Sequence, residues 1–128
     1  MPPLSVQRPA SVEAAAQAVR DAKTQGLGVR VVGSGSMPLT VFSRAAQSIT
    51  TTRLNKMVEH AVADMTVIVQ AGISLEALQK ELAWRNQWLP VDPPMVGAVG
   101  GRTPASRTIG GLIATNSLGP RRFGIGDW

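Results

Sequence analysis

The sequence contains no cysteine, no tyrosine and a single histidine, His60. Without cysteine there is no disulfide framework, no thiolate metal site, no iron–sulfur ligation and no thiol nucleophile. One imidazole cannot build a metal site alone, so no metal is expected. Aromatic residues are scarce as well: three tryptophans and two phenylalanines leave few platforms for stacking on bases, and the basic residues are scattered along the chain. Nucleic acid is therefore not an expected partner. No apolar run approaches the ~18 residues that a membrane span requires. The N-terminal MPPLSVQRPAS also lacks the charged head and apolar core of a targeting peptide. A cytoplasmic protein without a transmembrane segment is the expectation.

What is present is enough for one domain with a real core, at 128 residues of which 44% are apolar. Thirteen basic against eight acidic residues give a net charge of +5. The excess is greatest at the C-terminal end, where Arg102, Arg107, Arg121 and Arg122 follow residue 101 with only Asp127 to oppose them. That imbalance favours an anionic partner.

Along the chain, Leu4 to Pro9 reads as a short edge strand ended by proline. Ser11 reads as the N-cap of a helix, with Glu13 in its first turn and Val12, Ala15, Ala16, Val19 and Ala22 at helical spacing before Gly26. Val29 to Val32 follows as a strand, parallel to the first because a whole helix separates them. Ser48–Thr52, Met57–Ala61 and Thr66–Ala71 carry the β-branched density of further strands. Ser74 caps a second helix with Leu75, Leu78 and Leu82 on one face, ending at Asn86. Trp84 and Trp88 are expected to cover the edge of the core, His60 to be a surface or cross-strand residue, and Asp92 to stabilise a turn.

From Leu89 onward the texture changes to proline and glycine. The expected organisation is an α/β subdomain over 1–88 and the beginning of a second subdomain over 89–128, in an α+β fold with a small mixed sheet and two helices.

The chemistry concentrates in two glycine-rich loops, VVGSGSM (Val31–Met37) and TIGG (Thr108–Gly111). Glycine lets a backbone approach phosphate oxygens and aim several N–H groups at them, although many such loops only turn corners. The first loop lacks the third glycine of G-x-G-x-x-G, and no G-x-x-x-x-G-K-[ST] occurs. Neither a doubly wound dinucleotide fold nor a P-loop is indicated.

Three blocks in order, VRVVGSGSM, TVIVQAGISLEALQKELAWRNQWLPVDPP and TIGGLIATNSLGPRRFGIG, resemble the FAD-binding (PCMH-type) domain of the vanillyl-alcohol oxidase and p-cresol methylhydroxylase superfamily. Within it the likeness is greatest to the FAD-binding subunit of bacterial glycolate oxidase. The resemblance implies a flavin-dependent oxidoreductase acting on a 2-hydroxy acid, with FAD between two subdomains and its pyrophosphate wrapped by main-chain amides. It implies phosphate contacts for Ser34, Gly35, Ser36 and Met37, and positions along the pyrophosphate and flavin for Thr108, Gly110, Gly111, Thr115 and Asn116. Pro93 and Gly119 would shape the turns. The first loop has neither the histidine nor the cysteine through which some relatives tether flavin, so non-covalent FAD is implied.

No catalytic residue is assigned. The family pattern continues past the position of Trp128 into strands that complete the adenine site and a substrate domain. A companion polypeptide or a further C-terminal region is therefore expected to complete the site. The alternative is a truncated, non-catalytic flavin-fold fragment that serves as an interaction module.

Overall fold

The computed structural model describes residues 6–36, 46–93, 106–120 and 122–125. Two small sheets and four helices make up the described chain, which keeps the α+β class. Strand β1 (Val6–Gln7) leads through helix α1 (Val12–Thr24) to β2 (Gly28–Val32). Strand β3 (Ala46–Thr50) then inserts between them, giving the order β1-β3-β2 with both pairings parallel. The first two strands are thus parallel, as the crossover helix requires, but they are not neighbours.

Helix α1 begins and ends on local chemistry. The Ser11 hydroxyl accepts from the Ala14 N–H at 3.1 Å, satisfying one of the orphan donors of the first turn. At the other end Gly26 adopts φ +65°, Gly26 N–H donates to Lys23 O and Leu27 N–H to Ala22 O. This left-handed stop closes the helix. Its small residues Ala18 and Ala22 are buried, and the helix packs on β2 and β3.

The second layer is an antiparallel hairpin of β4 (Met57–Ala61) and β5 (Thr66–Val69), with an irregularity in register between Met57 and Glu59. Helices α2 (Leu75–Ala83) and α3 (Ile109–Ala114) share its core. Ile73, Leu78, Leu82, Ile109 and Leu112 form the buried cluster, with Met57, Val67 and Val69 of the hairpin against it. Leu78 and Leu112 keep 1% of their surface exposed, and burial of each stabilises by about 1.5–3 kcal/mol. In β5 the alternation is regular: Val67 and Val69 turn inward while Thr66 and Ile68 face solvent. A last turn of helix, α4, spans Arg122–Ile125.

Two expectations change. Trp84 and Trp88 do not cover the core edge, since they are 78% and 55% exposed. Trp84 is the C-cap of α2 and Trp88 follows its left-handed stop at Asn86 (φ +55°), so the last helical turn carries them past the packed face. The TIGG segment, read as a loop, opens helix α3.

Candidate functional site

The two glycine-rich segments meet. Gly33 follows β2, and Thr108 caps α3, its hydroxyl accepting from Gly111 N–H at 3.3 Å. A Cβ at Gly33 would overlap the Thr108 hydroxyl and lie 3.3 Å from its Cγ2. Only hydrogen at residue 33 lets the chains touch. The approach is fixed from both sides. On one side, Thr51 N–H donates to Val32 O at 3.0 Å and the Thr50 hydroxyl donates to Gly33 O at 3.1 Å. On the other, Leu75 N–H donates to Arg107 O at 2.8 Å and Ile109 N–H to Ile73 O at 2.9 Å, the bridge of Ser74 with Thr108.

A third turn, Ala71–Ile73, links them. Gly72 N–H donates to Leu54 O at 2.7 Å, and a Cβ at Gly72 would run into the carbonyl oxygen of Thr51. Gly110 N–H donates to Ala71 O at 2.8 Å, and a Cβ there would lie 2.8 Å from the Ala71 Cβ. The end of β3, the entry to α2 and the start of α3 are therefore tied backbone to backbone, with glycine at each close approach.

Beside this junction the first loop turns outward. Gly35 adopts φ +75° with open space where a Cβ would stand, and Ser36 is half-buried. The Ser34 hydroxyl is buried and has no hydrogen-bond partner. A buried hydroxyl left unpaired costs about 1–3 kcal/mol, and a phosphate oxygen arriving at the loop would satisfy it. Met37 lies outside the described residues.

The remaining expected site residues are placed as follows. Gly111 lies on the first turn of α3, and Thr115 is its C-cap, seven residues and about 10 Å along the helix axis from Thr108. The Thr115 hydroxyl donates back to Gly111 O at 2.8 Å. Asn116 takes the left-handed conformation, φ +47°, and with Ser117 N–H donating to Leu112 O it stops α3. Gly119, φ +81°, packs on the carbonyl of Asp92, while Asp92 N–H donates to Leu118 O at 2.9 Å, which brings Pro93 to the same turn. Sequence reasoning missed Thr50 and Gly72, and it placed Gly33 in the first loop without assigning it a role. Their importance lies in contacts between distant segments, which no local spacing announces.

A cleft of about 300 Å³ lies elsewhere, between the hairpin and the end of α2, lined by His60, Met65, Leu82, Gln87 and Trp88 among others. Two of its polar side chains pair with each other: Gln87 Nε2 donates to Val62 O at 2.8 Å, which turns Gln87 Oε1 toward His60 Nε2 at 2.6 Å. None of its lining residues belongs to either glycine-rich segment. Among the described residues no group of three or more histidine or acidic side chains is placed to hold a metal. No helix is long and apolar enough to cross a membrane among them.

Comparison with known proteins identifies the family. The family of FAD binding domains matches residues 3–127. A D-2-hydroxyglutarate dehydrogenase of Xanthomonas citri pv. viticola is 35% identical over 128 residues, covering 98% of this chain and 25% of the relative. A solved alkyldihydroxyacetonephosphate synthase superposes with a TM-score of 0.77 at 26% identity, covering 95% of this chain and 24% of its own. A second structure of that name gives 0.75 at 25% identity, with 95% and 22% covered. The chain thus spans about a quarter of the length of the relatives it matches. Matched over residues 3–127, the chain belongs to the family of FAD-binding domains, and FAD is its cofactor.

Proposed function

We propose that the chain is the FAD-binding part of a flavin-dependent oxidoreductase acting on a 2-hydroxy acid, with glycolate as a substrate to test beside 2-hydroxyglutarate. The observation that carries this reading is the junction of Gly33 with Thr108 beside the unpartnered Ser34 hydroxyl. Ser34, Gly35, Ser36 and Met37 would hold the diphosphate from one side, and Thr108, Gly110 and Gly111 from the other. Thr115, Asn116, Pro93 and Gly119 would form the far wall. When bound, the flavin supplies a hydride acceptor for the substrate α-carbon. The residues here bind and orient it.

FAD is held non-covalently in this reading, which the lack of cysteine and the pairing of His60 with Gln87 support. Residues 89–128 begin a second subdomain, and further polypeptide completes the site. The exposure of Met65 (84%), Trp84 and Phe123 (85%) fits surfaces that such a complement covers. A cytoplasmic location is part of the same proposal.

Titration with FAD tests the cofactor claim: flavin fluorescence should quench and the absorbance bands shift. Anaerobic addition of glycolate or D-2-hydroxyglutarate to the completed protein should bleach the flavin. No response to FAD favours the interaction-module alternative, and FAD binding without bleaching by any 2-hydroxy acid removes the substrate class.

A further inference from the structure

The geometry points to Thr50 as the positioning residue that sets the direction of the Ser34 amide in the first glycine-rich loop. This rests on the FAD reading above and adds to it a residue outside both loops. Thr50 closes β3 and is 7% exposed. Its hydroxyl lies 3.1 Å from Gly33 O and 3.3 Å from the Thr52 hydroxyl. A hydroxyl has one proton to give, and of these two partners only Thr52 can donate in return. The arrangement that pairs every group therefore sends the Thr50 proton to Gly33 O and the Thr52 proton to Thr50.

Two consecutive carbonyls are then pinned to the end of β3: Val32 O by Thr51 N–H and Gly33 O by Thr50. The described chain has no cis peptide. In a trans peptide the C=O and the following N–H point in opposite directions. With Gly33 O drawn toward Thr50, the Ser34 N–H is turned away from β3. A negatively charged ligand needs N–H groups presented to it and carbonyls kept back, and Thr50 enforces both at one peptide unit. Released from Thr50, that peptide is free to rotate and present its carbonyl to the anion instead.

The test compares Thr50→Val, Thr50→Ser and the parent protein by FAD titration, with thermal unfolding measured alongside. Valine keeps the shape and removes the hydrogen bond, and should weaken FAD binding about tenfold, the upper end of what one such bond accounts for. Serine should restore parental affinity. Equal affinity of parent and Thr50→Val, or a Thr50→Ser as weak as valine, overturns the role of the hydroxyl. Should Thr50→Val fail to fold, Thr50→Ala against Thr50→Ser carries the same comparison and the same two outcomes. Failure of the parent itself to bind FAD would instead favour the interaction-module alternative. In that event the amide proposal is read in the free protein: Thr50→Val must shift the Ser34 amide resonance and Thr50→Ser must not, and an unmoved resonance overturns it.

Discussion

Gly33→Ala tests the junction most directly, because the structure says what the added methyl meets. Gly33 is not in the left-handed region, so its backbone accepts alanine. The obstacle is the Thr108 hydroxyl, which the new Cβ would overlap, whereas the Thr108 Cβ stands 3.4 Å away at ordinary contact. Thr108 is 5% exposed and its hydroxyl caps α3. Moving it aside costs the cap, about 0.5–2 kcal/mol, on top of about 1–3 kcal/mol for overpacking. Gly33→Ala should therefore destabilise by about 1.5–5 kcal/mol. Thr108→Ala alone loses the cap, about 1 kcal/mol. In the double variant the hydroxyl is gone and the two methyl groups touch without overlap, so the cost should fall back to about that of Thr108→Ala. Urea unfolding of the four proteins closes the cycle, and FAD affinity should follow the same order. Additivity within about 0.5 kcal/mol would mean that the two segments do not touch, and the junction would be wrong.

Two further outcomes follow from single residues. Gly35→Asp should bind FAD at least about tenfold more weakly than Gly35→Asn, because both strain the φ +75° backbone equally and only one brings a charge to the diphosphate; equal titration curves would place the anion elsewhere. The Glu13 carboxyl is held below the ordinary glutamate range, first by a backbone N–H and then by the Ser11 hydroxyl. Its contribution to α1 should be complete above the unfolded-state value and disappear as pH falls through the depressed one; a side-chain NMR titration of Glu13 that matches a free glutamate would contradict this.

Helices α1 and α2 were legible because their signals are local. Ser11 and Gly26, Ser74 and Asn86 stand at the ends of apolar spacing of helical period, and each does in the structure what its chemistry favours. The sheet order was not. Ser48–Thr52 reads only as a further strand, and nothing in the largely polar Gln47–Thr50 announces that it lies in the middle of its sheet with all four residues buried. Its polar groups are satisfied from a distance: Arg30 donates to the Ser48 hydroxyl at 2.9 Å, and Thr50 reaches Gly33 O. Helix α3 was hidden for a related reason. Consecutive glycines disfavour a helix by about 1 kcal/mol each, and what offsets this is the burial of Ile109 and Leu112 against α2 together with the Thr108 cap.

The same logic explains why the candidate site reads as a family signature more readily than as a substrate signature. At the junction, carbonyls and N–H groups of Val32, Thr51, Leu54, Ala71, Gly72 and Gly110 approach within hydrogen-bond range, and the sequence records this as glycine where a Cβ would collide. The side chains gathered there are short hydroxyls. Thr50 and Thr108 are occupied with backbone groups, and Ser34 is the one with capacity to spare. On the proposed reading, a site built this way would recognise a diphosphate through main-chain donors that no substitution of side chains removes. Discrimination between hydroxy acids requires side chains facing the α-carbon substituent, and the junction residues are already committed to holding the chain.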